Sequence, residues 1–211
     1  MINYLKPTNL LDFKSLEIQQ IISELKSDKL SNKQKAIEIH LKIRDNWRYN
    51  PYNICFDEEC YKASTIAKKS EGHCIDKSII LAACLRALNI PARLHFAKVK
   101  NHIGVERLIE KFGTNELSPH GMVGVFINGK WLKVSPAFNI ELCNKYNIAP
   151  LDFDGENDSV FHEFDKEGNV FMEYLEDYGH FDDVPTTFIL ENFKSNYPDI
   201  YKYYKGQNIM L

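Results

Sequence analysis

Apolar residues in the first part of the chain recur at helical spacing. Leu11, Ile18, Ile21, Ile22 and Leu25 mark one stripe. A second predicted helix opens at Ser31, where Ser31 and Gln34 have the spacing of a capping box. Ala36, Ile39, Ile43 and Trp47 give it one apolar face, and it is expected to end near Asn50-Pro51, because the residue before proline disfavours the helical region. Ala63, Ile66 and Ala67 predict a short helix that stops before Gly72. The stretch CIDKSIILAACLRAL, Cys74 to Leu88, differs in kind. Its apolar residues cover nearly the whole circumference, which predicts a buried helix, and Asn89 and Pro91 end it.

Beyond Pro91 the pattern becomes extended. Arg93 to Lys100 predicts a strand, and Ile103 to Phe112 a short helix or loop. The sequence GMVGVFI, then Asn128-Gly129, then KWLKVSP predicts a hairpin, since both turn residues tolerate the positive φ of a type I′ turn. A two-residue loop pairs Ile127 with Lys130. Counting outward pairs Met122 with Ser135 and His120 with Ala137. His120 and Ser135 would then be diagonal neighbours on one face, roughly 7–8 Å apart along the backbone. Val170 to Leu175 is a further candidate strand, and Thr186 to Tyr204 a candidate amphipathic helix.

With 211 residues and no Gly/Ser- or Pro-rich linker, the chain is expected to be one α+β domain over 1–211. Its helical part is about 1–90, its mostly β part about 91–185, and its tail, 186–211, helical. Hydrophobic residues make up 44%, enough for a sizeable core. A net charge of −3 argues against nucleic acid as a partner. That figure hides an asymmetry. Residues 151–185 hold 12 acidic residues and one lysine, against 17 acidic and 25 basic elsewhere, which predicts a solvated acidic surface. Met1 to Thr8 lacks a signal-peptide apolar run and no window is apolar enough to span a membrane, so a cytoplasmic protein without a membrane partner is expected. Five cysteines without a CxxC pair predict neither a disulfide framework nor a structural zinc. The DFDGENDS stretch from Asp152 lacks the Glu at the twelfth position of a calcium loop, so no metal or cofactor is expected.

The chemistry centres on Cys74, at the N-terminal end of the buried helix, where partial positive charge and free N–H groups favour a thiolate. His120, at the start of a strand, would act as its base if that strand packs on the helix. His73 is expected as a surface or capping residue and Asp76 as a helix-dipole partner. Trp47 and Asn53 lie upstream, where related thiol enzymes place an oxyanion donor.

The segment GHCIDKSIILAACLRALNIPARL resembles the nucleophile block of the transglutaminase-like superfamily, with Gly72, Cys74, Arg86, Ile90, Pro91, Ala92 and Arg93 at matching places. HGMVGVFINGKWLKVSPAF resembles its second block through His120, Trp131 and Pro136. The resemblance implies a papain-like core, with a helix carrying Cys packed on an antiparallel sheet carrying His. It implies amide hydrolysis or acyl transfer through a thioester, on a peptide or amide-bearing substrate and without a required cofactor. The family's Asp falls on Ser135. The orienting partner for His120 is therefore Ser135 by register, or Asn139 by analogy with the asparagine of papain-like enzymes. Loss of that Asp leaves a binding domain without catalysis as the alternative.

Overall fold

The computed structural model describes residues 1–160, 163–203 and 209–210. In chain order its elements are α1 (Leu16–Ile21), α2 (Asn32–Asn46), β1 (Arg48–Tyr49), β2 (Asn53–Ile54), α3 (Ala63–Ala67), β3 (Glu71–Gly72), α4 (Cys74–Ala87) and β4 (Ala92–Asn101). They continue as α5 (Glu106–Phe112), β5 (Glu116–Ile127), β6 (Lys130–Val134), α6 (Ile140–Lys145), β7 (Met172–Phe181), α7 (Thr186–Asn196), α8 (Pro198–Tyr203) and β8 (Ile209–Met210). The main sheet is antiparallel, in the order β6-β5-β4-β7.

The local rules are visible where the pattern was strongest. Ser31 Oγ accepts from the Gln34 N–H while Gln34 Oε1 accepts from the Ser31 N–H, so the capping box starts α2. The helix stops at Asn46, before the proline boundary, because Trp47 is already extended. Asn128 and Gly129 both have positive φ, of 50° and 85°, and Ile127 pairs with Lys130 as the turn requires. β7 runs six residues past the predicted strand, pairing with β4 as far as Phe181. The predicted C-terminal helix breaks at Tyr197-Pro198 and is not the whole tail, since β8 pairs with β2. Residues 204–208 and 211 of that tail lie outside the described residues.

Helix α4 is the axis of the core. Ile79, Ile80, Leu81, Ala82, Ala83 and Cys84 are fully buried against α1–α3 on one side and the sheet on the other. Burial of each large aliphatic side chain stabilises the fold by roughly 1.5–3 kcal/mol. Three polar residues of α4 are buried as well. Arg86 donates to the carbonyls of Ala92, Lys6 and Asp182, tying the helix end to the chain entering β4. Lys77 and Asp76 lie at the other end, beside the site. No helix among the described residues is long and apolar enough to cross a membrane. Cys55 and Cys60 form a disulfide, contrary to the expectation from cysteine spacing.

Gly121 sets how closely β5 approaches α4. A Cβ there would lie 2.8 Å from Ile75 Cα and 3.1 Å from the Cys74 carbonyl oxygen. Those are backbone atoms of a helix start and have little room to yield. Gly121→Ala is expected to cost about 1–3 kcal/mol through overpacking. A denaturant midpoint unchanged from the native chain would show that β5 can move away from α4 freely.

Candidate active site

The site is built where four segments meet the start of α4. His73 is the N-cap of that helix, and its Nδ1 accepts the Asp76 N–H at 3.1 Å. It does cap, as expected, but it is buried and not on the surface. Cys74 is the first helical residue, with a side chain that borders a small cavity lined also by Tyr49, Ile75, Ser118, Pro119 and Tyr197. The backbone N–H groups of Gly121 and Ile75 lie close enough to the sulfur to favour its thiolate. Burial acts more strongly in the other direction and pushes the thiol up to about 11. The helix terminus therefore does not by itself make a resting thiolate.

β5 passes the same helix start, where Gly121, the residue after His120, abuts the backbone of Cys74 and Ile75, while the His120 side chain lines a separate small cavity with Ser135, Ala137 and Met172 and not the Cys74 cavity. The imidazole is buried, Nδ1 has no hydrogen-bond partner among the described residues, and desolvation pulls its pKa down to about 4. At neutral pH the thiol and the imidazole are both uncharged.

The predicted ladder beyond Val134 requires correction. The last regular pair is Val123 with Val134. The Ser135 N–H turns away to the carbonyl of Ser159 at 2.8 Å, because the segment around Ser159 replaces β5 as its neighbour. Ser135 still lines a small cavity together with His120, Ala137 and Met172, but it makes no hydrogen bond to Nδ1. Its carbonyl oxygen is 3.3 Å from His40 Nε2. Asn139 is not brought to His120 either. Its Oδ1 accepts the backbone N–H of Tyr49 at 3.0 Å.

Sequence reasoning missed two residues here. Lys77, one turn into α4, is fully buried and donates to the carbonyls of Arg44, Trp47 and Ala137 at 2.7–2.8 Å. Tyr49 borders both the Cys74 cavity and a much larger cleft of about 800 Å³. That cleft is walled by Tyr52, Phe138, Tyr146 and Phe171, with Arg48, Glu71 and Lys145 among its charged residues. A lysine in an apolar run signals a buried clamp only once its acceptors are known. Tyr49 carried no signal beyond its position upstream of Cys74.

The DFDGENDS turn is closed by its own side chain, with Asp154 Oδ1 accepting the N–H groups of Glu156 and Asn157. In β7, Asp177 reaches His95 Nε2 at 2.8 Å.

Residues 19–136, from α1 through the Cys74 and His120 blocks to Pro136, match the Transglutaminase-like superfamily. The chain belongs to that superfamily. Its members' helix-on-sheet core is the one described above. Among solved structures it is similar to a protein of Cytophaga hutchinsonii titled a "Putative Cysteine Protease", at 16% identity and a TM-score of 0.54. The similarity covers 89% of this chain and 49% of that one, so this superfamily member spans about half its neighbour's length. It is a likeness of fold. No curated protein matches the sequence.

Proposed function

We propose that this superfamily member is a thiol-dependent amide hydrolase or acyltransferase. Cys74 Sγ attacks the carbonyl carbon of a peptide or other amide, and His120 takes the thiol proton. The C–N bond breaks as that proton passes to the departing amine, leaving a thioester. Water or a second amine then releases the acyl group and returns the thiol. One observation carries the reading. Cys74, at the start of the buried helix, borders a cavity that shares Tyr49, Pro51 and Leu117 with the 800 Å³ cleft, so a reactive group sits where a bound chain would pass.

A second reading is a binding domain that has lost catalysis. The Nδ1 of His120, without a partner among the described residues, and the serine at the family's Asp place favour it.

Thiol labelling tests the first reading. Cys84 and Cys143 are fully buried, and burial raises both thiols, so neither should react in the native state. Cys74 should be alkylated by iodoacetamide. With its thiol near 11, the rate should climb about tenfold per pH unit between pH 7 and 9, because only the thiolate reacts. Peptide mapping by mass spectrometry gives the site and the slope. A rate flat across pH 6–9 would mean a preformed thiolate–imidazolium pair. No labelling of native Cys74 would remove the enzyme reading and leave the binding domain.

A further inference from the structure

Among the described residues, Tyr49 and His73 are the side-chain donors upstream of Cys74 that border its cavity, and His73 is already engaged as the cap of α4. The place of Tyr49 is built by the backbone. β1 pairs in parallel with β3, which puts Tyr49 beside Gly72, two residues before the nucleophile. The Asn50 N–H donates to the Gly72 carbonyl at 3.0 Å, and the Arg48 N–H to the Ser70 carbonyl at 3.0 Å. On its other side the Tyr49 N–H is held by Asn139 Oδ1, and the Tyr49 ring meets Phe138 edge-on at 4.8 Å between centroids. Two segments, β3 and the loop of Phe138 and Asn139, therefore hold this residue in place. The residue lines the cleft, while its hydroxyl is buried and has no hydrogen-bond partner among the described residues.

A buried phenol without a partner costs the free protein stability, and a ligand that accepts its hydrogen bond is one reason to keep it. Burial, and then the nearness of Cys74, hold this hydroxyl well above its ordinary pKa, so it stays a donor at any pH the protein experiences. Trp47 is the rival, because its indole N–H is also buried and has no partner among the described residues. Trp47 borders neither the Cys74 cavity nor the cleft, and Asn53 borders neither as well.

We propose that the Tyr49 hydroxyl donates a hydrogen bond to the oxyanion formed when Cys74 attacks a carbonyl, with Asn139 positioning Tyr49 for that task. This rests on the thiol-acyl reading above and assigns the donor that reading leaves open. In the attack, the Sγ–C bond forms and the carbonyl π pair moves onto oxygen. Tyr49 stabilises that charge and keeps its own proton, and the pair returns as the leaving group departs.

Two reagents separate this role from a structural one. p-Nitrophenyl acetate acylates a thiol through a tetrahedral oxyanion and releases p-nitrophenolate. Iodoacetamide alkylates the same thiol by displacing iodide, with no charge developing on a carbonyl oxygen. In Tyr49→Phe, acetylation of Cys74 should slow by about ten- to a hundredfold while alkylation stays within twofold of the native rate. Trp47→Phe should change neither ratio. Asn139→Ala should slow acetylation in the same direction but less.

Equal acetylation of Tyr49→Phe and the native chain would overturn the donor role and leave the thiol reading standing. A rise in both rates would also overturn it, by making Tyr49 a cover over Cys74. If native Cys74 reacts with neither reagent, the thiol reading and the donor role fall together. Tyr49→Phe keeps the ring that packs on Phe138, so its fold should hold, and circular dichroism checks this.

Discussion

Replacing Lys77 by methionine is expected to lower the unfolding free energy by about 3–5 kcal/mol, because three buried carbonyls each lose a donor at about 1–3 kcal/mol, partly offset by no longer burying a charge. Methionine matches the length and apolar stem of lysine but donates nothing. Three carbonyl oxygens, of Arg44, Trp47 and Ala137, would lose the donor they now share. They belong to the end of α2, the segment entering β1 and the loop after β6, so one ammonium holds three elements against the start of α4. Loss of the clamp should also loosen Tyr49 and Cys74, and labelling of Cys74 should become less selective. Denaturant unfolding measures the first effect. A loss under 1 kcal/mol would show that water or a small collapse replaces the donors.

The charge state of Lys77 gives a second readout of the same variant. Burial taken alone would pull the amine down to about 7. Three acceptors at 2.7–2.8 Å nevertheless need three N–H donors, which only the ammonium supplies. If the native amine were neutral above pH 7, the unfolded chain would bind a proton that the native one lacks. Stability would then rise with pH from about 7 toward 10, by up to about 1.4 kcal/mol per unit. The carbonyl geometry predicts no such rise between pH 7 and 8.5, and the difference between the native chain and Lys77→Met should be constant there. Above pH 9 the raised thiol of Cys74 works in the opposite direction, because the unfolded thiol ionises first and stability falls.

The parts legible in the sequence were those encoded within a few residues. The capping box at Ser31, the Asn128-Gly129 turn and the all-round apolarity of α4 each follow from neighbours in the chain, and each is where it was expected. The unread parts depend on partners far away. The acceptors of Lys77 lie 30 to 60 residues from it, and the Asn139–Tyr49 contact spans 90. Chemistry alone pointed Asn139 at an imidazole, yet the chain delivers its carbonyl oxygen to a backbone N–H. The length of β7 was hidden because Glu173, Glu176 and Asp177 interrupt its alternation at a sheet edge, where charge is tolerated. Cys55 and Cys60 are joined across the short turn Glu58–Tyr61, which brings their Cα atoms to 6.2 Å.

Ser135→Asp tests whether the candidate site is one carboxylate short of full activity. Ser135 and His120 line the same cavity, Nδ1 of His120 has no partner among the described residues, and both residues are buried. In a serine protease, replacing the triad carboxylate by an amide costs about four orders of magnitude, since the imidazole adopts the wrong tautomer and imidazolium goes unsupported. The reverse change here is expected to raise the Cys74 acetylation rate by about 10²- to 10³-fold. A full recovery is not expected, because β6 leaves β5 after Val134 and the new side chain starts from a displaced backbone. Two readouts accompany the rate. The imidazole of His120, now held near 4, should titrate at least one unit higher, since an adjacent carboxylate favours imidazolium. Stability should fall only modestly if the carboxylate finds Nδ1–H, and by several kcal/mol if it stays buried and unpaired. His40, close to the Ser135 carbonyl, is the other imidazole that could take the charge. Site-resolved nitrogen NMR distinguishes the two rings. A carboxylate that shifts His40 alone, with no gain in acetylation, would place the orienting role away from position 135. A shifted His120 with no gain in rate would mean that orientation was not what the site lacked, and would favour the binding-domain reading.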